Sequence, residues 1–131
     1  MIFHYTATSY GTPLSAIVNG HKARFWVQFF IAYHYVIDKE GNIYNTRPEK
    51  CWSIAMKTES LNLEWINIAY IGNDKPTEMQ RQSLLSLTRD VMFRYNMDKS
   101  MVDAHANFEP KNHKESMQWM FGSKENFVND L

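Results

Sequence analysis

The amino-acid sequence predicts an α/β domain in which helices flank one mixed central β-sheet. Three observations carry that expectation. Strand-like and helix-like patterns alternate along the chain. One nearly continuous apolar run, WINIAYIG at residues 65–72, has the composition of a strand buried on both faces. Directly after it, Thr77 with Gln80 three residues on forms a capping-box start for a long helix.

The elements follow in order. IFHYTAT at residues 2–8 alternates as an opening strand and runs into a Ser-Tyr-Gly-Thr-Pro turn. From Leu14 to about Trp26, apolar residues at Leu14, Ile17, Val18 and Phe25 suit a helix that Asn19-Gly20 weakens. YHYVIDKEGNIYNTR reads as a hairpin: strands at residues 33–37 and 43–45 join through a turn carrying Gly41. The strand at 65–72 ends in Gly-Asn-Asp-Lys-Pro, and Leu84, Leu87, Val91 and Tyr95 then recur at helical spacing until about Asn96. Residues 105–113 are expected to form a loop, with a short final helix at residues 116–121.

Composition restricts the function classes. With 131 residues the chain fits one domain with a real core, and no repeat or linker marks a second module. Fourteen basic and fourteen acidic residues leave a formal net charge of zero, which argues against nucleic acid or an anionic membrane as partner. The single cysteine, Cys51, excludes an internal disulfide and suits a reducing compartment. MIFHYTATSYG has no basic segment followed by an apolar one, so no signal peptide is expected, and residues 25–37 are too short to span a bilayer.

Five histidines remain as the conspicuous chemistry. Taken singly, His4 reads as a buried strand residue and His105 and His113 as loop residues. No compact HExxH zinc signature joins any of them. HANFEPKNH nevertheless brackets a Pro-Lys pair with two histidines.

In combination these pieces resemble the type 2 N-acetylmuramoyl-L-alanine amidases, which include phage lysozymes of amidase specificity and the peptidoglycan recognition proteins. FHYTAT is similar to the family's first strand, which ends in a zinc histidine. YHYVIDKEGNIYNTR is similar to its Tyr-His strand, hairpin and arginine, and IAYIGNDKPTEMQRQSLLSL to its buried strand and Leu-rich helix. HANFEPKNH has the layout of a second zinc histidine, Pro-Lys, and a third ligand two residues beyond the lysine. The resemblance covers residues 4–113. It implies the fold of that family, Zn2+ on His4, His105 and His113, and catalytic roles for Tyr33 and Lys111.

The sequence departs from the family pattern at several positions. The third ligand is usually Cys or Asp, whereas here it is His113. Three histidines with one open position are a normal catalytic zinc set. Ile54 stands where many members carry a histidine, Asn67 and Ala32 where they carry glycine, and His34 is expected on the opposite side of its strand from the site.

The implied activity is zinc-dependent hydrolysis of the amide between N-acetylmuramic acid and L-alanine in peptidoglycan. Residues 1–131 would form the catalytic domain with no separate wall-binding domain. The expected setting is a phage endolysin held in the host cytoplasm until it is released to the wall. Its partner would be the muramyl peptide, with no nucleic acid, no membrane insertion, and the chain acting as a monomer. The alternative from another class is a peptidoglycan-binding module that keeps the fold without turnover.

Overall fold

The computed structural model describes residues 1–25, 31–109 and 117–131. Lys111 and His113 lie outside the described residues, as do Trp26 and Ser116 at the predicted helix boundaries.

Five strands form one mixed sheet: β1 (Ile2–Tyr5), β2 (Tyr35–Ile37), β3 (Ile43–Asn45), β4 (Asn67–Tyr70) and β5 (Asp103–Ala104), in the spatial order β3-β2-β4-β1-β5. The pairs β1–β4, β1–β5 and β2–β4 are parallel, while β2–β3 is the antiparallel hairpin read from the sequence. A parallel centre requires crossovers covered by helices. These are α1 (Leu14–Phe25), α2 (Glu59–Glu64), α3 (Glu78–Tyr95), α4 (His105–Phe108), α5 (Met117–Phe121) and α6 (Lys124–Asp130).

Strand alternation divides the side chains between two faces. Phe3, Ile37, Ile68, Tyr70 and Ala104 enter the larger core, where Leu84, Leu87 and Val91 of α3 meet Met117, Met120 and Phe127. Phe3 packs edge-on to Phe127 with ring centroids 5.2 Å apart. On the other face, Val36 and Ile71 pack with Ile17 of α1 in a smaller cluster. That cluster leaves room for polar groups beside it.

α3 begins as its sequence requires. The Thr77 hydroxyl accepts the Gln80 amide, and the Gln80 side chain accepts the Thr77 amide. Gln80 is fully buried, and its Nε2 also donates to the Ile71 carbonyl at 2.9 Å, which ties the helix start to the end of β4. Asn96 closes the helix in the left-handed conformation, φ 50°.

Several expectations require correction. Tyr95, on the predicted helical stripe, is 52% exposed, and its hydroxyl donates to Glu49, which also accepts from Nη1 and Nη2 of Arg94 and from the Tyr35 hydroxyl. The segment after β5 is not all loop, since residues 105–108 form a helical turn closed by the Glu109 amide donating to the His105 carbonyl at 3.0 Å. Trp65 lies outside the central strand and caps α2, a helix the sequence reading did not contain. β5 and α6 were likewise not expected.

Two predictions follow from this packing. Gly41 turns the hairpin at φ +86°, and an added Cβ would stand 2.9 Å from both the Met79 carbonyl oxygen and the Ser83 hydroxyl. Gly41→Ala is therefore expected to cost about 2 kcal/mol or more. Gly11→Ala, with nothing within 4 Å, should stay within about 0.5 kcal/mol. Urea midpoints check both, and equal midpoints for the two variants would contradict the docking of the hairpin on α3.

Glu49 is held down at about 2, from 4.5, mainly by the Arg94 hydrogen bonds and further by the two tyrosines. A depressed carboxylate contributes stability above its unfolded value, and that contribution is lost as pH falls from about 4.5 toward 2. Glu49→Gln should flatten the pH dependence of unfolding free energy in this interval. An unchanged slope would show that the cluster contributes nothing.

Candidate metal and active site

The site follows from strand register. Parallel pairing matches Ile2 with Asp103 and Phe3 with Ala104, so the next residues, His4 and His105, emerge side by side. Because Phe3 and Ala104 point into the larger core, alternation sends the two histidines toward the other face. Their ring centroids are 4.8 Å apart, and both are buried, with exposures of 1% and 7%.

Tyr33 lies 5.1 Å from His4 and 5.4 Å from His21, centroid to centroid, so four rings run in sequence from His105 to His21. The Tyr33 backbone is fixed by the Thr46 hydroxyl, which donates to its carbonyl at 2.9 Å. An open cavity of about 350 Å³ lies against His21, Tyr33 and His105 and is lined also by Thr6, Ala7 and residues 54–57. Arg47, the arginine of the predicted hairpin motif, braces the surroundings by donating to the carbonyls of Ile31 and Trp52, each at 2.7 Å.

The hydrogen bonds fix the state of both histidines. Asn67 Nδ2 donates to the Trp65 carbonyl at 3.0 Å, and a carbonyl only accepts, so the amide's orientation is settled. Its Oδ1 must therefore be the acceptor facing His4 Nε2 at 2.7 Å, and His4 carries its proton on Nε2. In the neutral ring that leaves the lone pair on Nδ1. His105 matches it: Nε2 donates to Glu109 Oε2 at 2.9 Å.

Glu109 stays ionised. Burial pushes its carboxyl up, but hydrogen bonds from His105, from the Thr58 hydroxyl and amide, and from the Lys57 amide outweigh burial and hold it at about 2.

Two imidazoles side by side, each with its Nε2–H held by an oxygen acceptor, suit a divalent zinc ion. Metal-ligating histidines almost always have the second nitrogen tied in this way. Among the described residues no group of three His, Cys, Asp or Glu side chains is placed to hold a metal. Of the predicted set, His4, His105 and Tyr33 come together here, whereas His113 and Lys111 lie outside the described residues.

His34 has the structural role expected of it. It is buried, its Nδ1 accepts the Asn67 amide at 3.0 Å, and its Nε2 donates to the Cys51 carbonyl at 2.8 Å. Burial, more than any neighbouring charge, lowers its pKa. Ile54 sits in the cavity wall, its amide donating to the Ala32 carbonyl at 3.2 Å.

Three participants escaped the sequence reading: His21, Asn67 as the partner of His4, and Glu109. His21 lines the cavity, and its Nδ1 accepts the Ala32 amide at 3.1 Å. Burial, then Arg24, lowers its pKa, so it enters the cavity as a neutral ring. For Glu109 a signal existed, the His-x-x-x-Glu spacing that faces two side chains on one helical turn. It was obscured by reading the segment as loop.

Comparison with known proteins identifies the family and the fold. The family model described as N-acetylmuramoyl-L-alanine amidase matches residues 1–118. No curated protein matches the chain. Among solved structures, the N-acetylmuramoyl-L-alanine amidase LysC from Clostridium intestinale URNW superposes with a TM-score of 0.77 at 26% identity, over 98% of this chain and 83% of that one. The endolysin amidase LysCS from the same organism gives 0.68 at 30% identity, over 81% and 67%. Bumblebee PGRP-SA shares the fold, with a TM-score of 0.74 at 16% identity over 92% and 75%. A family model that matches residues 1–118 settles the classification: this chain belongs to the type 2 N-acetylmuramoyl-L-alanine amidase family.

Proposed function

We propose that this protein is a zinc-dependent hydrolase of the amide bond between N-acetylmuramic acid and L-alanine in peptidoglycan, acting as a phage endolysin. Residues 1–131 would serve as the catalytic domain. The observation that supports this reading most is the pairing of His4 and His105, with matched tautomers, beside a cavity that His105 and Tyr33 line. His4, His105 and His113 would hold the zinc. When bound, zinc lowers the pKa of water to about 7 and polarises a carbonyl, supplying the strong nucleophile that amide hydrolysis requires.

The remaining work falls to the protein's own groups. The Tyr33 hydroxyl orients the attacking water or passes a proton to the departing amine. The Lys111 ammonium stabilises the oxyanion that develops on the carbonyl oxygen. His4 and His105 are both buried, which fixes their rings beside the cavity.

A second reading is favoured by one observation. Ile54 places an apolar side chain in the cavity wall where many family members carry a histidine. On that reading the chain binds muramyl peptides without cutting them.

Two measurements test the proposal. Elemental analysis of protein from zinc-replete medium should find close to one zinc per chain, and His113→Ala should lose it. A metal-free wild type would refute the ligand set. Lys111→Ala should retain the zinc yet turn over about a hundredfold more slowly or worse. Digestion of purified peptidoglycan should release new alanine amino groups without new reducing ends. Binding with neither product, in zinc-loaded protein, would select the binding module.

A further inference from the structure

We infer that Asn67 and Glu109 are positioning residues for the two histidines: each accepts an Nε2–H, and so holds its imidazole in the tautomer that leaves Nδ1 for a metal. The inference rests on the zinc reading above and adds the atoms through which the site is set.

The case for Asn67 is directional. His4 donates to Asn67 Oδ1 at 2.7 Å and Asn67 Nδ2 donates to the Ser53 hydroxyl at 2.9 Å. Ser53 in turn donates to Asn62 Oδ1 at 2.8 Å, and Asn62 Nδ2 donates to the Met56 carbonyl at 2.7 Å. Every bond in this chain points the same way, away from His4, so each polarises the next and strengthens the first. Asn67 is fully buried, so water cannot take over its role. A reversed His4 tautomer would set an unprotonated nitrogen against Oδ1, and the Trp65 carbonyl prevents the amide from flipping to compensate.

The case for Glu109 is one of saturation. Oε2 receives His105 Nε2 and the Lys57 amide, and Oε1 receives the Thr58 amide and hydroxyl. A carboxylate with both oxygens so engaged is an orienting group rather than a metal ligand or a mobile base. Its pull also makes the opposite ring nitrogen a better donor. Both acceptors are anchored to the same stretch, residues 53–58, which also forms a wall of the cavity.

The decisive experiment reads tautomers in metal-free protein. Nitrogen-15 NMR of the apo wild type above pH 7.5 should show His4 and His105 each with a protonated Nε2 and a bare Nδ1. Glu109→Ala should introduce the Nδ1–H tautomer at His105 alone, and zinc affinity measured by chelator competition should fall about 10- to 100-fold. Glu109→Gln, which keeps a carbonyl acceptor, should recover the tautomer and most of the affinity. Asn67→Ala should do to His4 what Glu109→Ala does to His105. Should Asn67→Ala not fold, the Glu109 pair decides.

An Nδ1–H tautomer in the wild type overturns the inference. So does a Glu109→Ala protein that loses thermal stability while keeping both tautomer and affinity. Failure of the wild type to take up zinc would instead strike the metal assignment, and the apo spectra would still rule on the positioning role.

Discussion

Everything at the site depends on β1 being paired on both sides in parallel. Between β4 and β5, the strand has no freedom to slide, because a one-residue slip would carry Phe3 out of the larger core and His4 into it. The same register that buries Phe3 against Phe127 therefore sets His4 beside His105 and within reach of Asn67. Packing on one face of the sheet dictates chemistry on the other.

The cost of this arrangement is a buried polar layer. His4, His34, Ser53 and Asn67 are all nearly inaccessible, and an unpartnered polar atom there would cost about 1–3 kcal/mol. The structure avoids that cost by linking them: Asn67 alone bonds through its backbone amide to His34, through Oδ1 to His4, and through Nδ2 to Ser53 and Trp65. A glycine at this position, the residue that the family resemblance leads one to expect, could offer only the backbone part.

Much of the fold was legible in the sequence, because its long and strongly patterned elements announce themselves. The hairpin with Gly41, the buried strand before Gly72 and the capping box at Thr77 all formed where expected. β5 and α4, of 2 and 4 residues, are too short for any periodicity to emerge, yet they deliver His105. The pairing of His4 with His105 was reached through family resemblance rather than spacing, since nothing local relates residues a hundred positions apart. Asn67 was read only as a departure from glycine and Glu109 was hidden by taking its segment for loop, because what Asn67 accepts shows only in its three-dimensional neighbours.

The two sides of the cavity are built of different materials. The rim at residues 6–8 extends the sheet by main-chain bonds, Thr6 to the Tyr70 carbonyl and Thr8 to the Gly72 carbonyl, and holds Ala7 at φ 58°, a conformation an alanine adopts only under such constraint. The stretch at residues 53–58 is secured largely by side chains, those of Ser53, Asn62 and Glu109. Thr6 adds side-chain bonds of its own, its hydroxyl accepting the Gly72 amide at 3.2 Å and meeting the Thr8 hydroxyl at 2.7 Å, so both stretches answer to substitution. Replacements along residues 53–58 that alter what the cavity admits therefore also pull on the groups that hold the histidines.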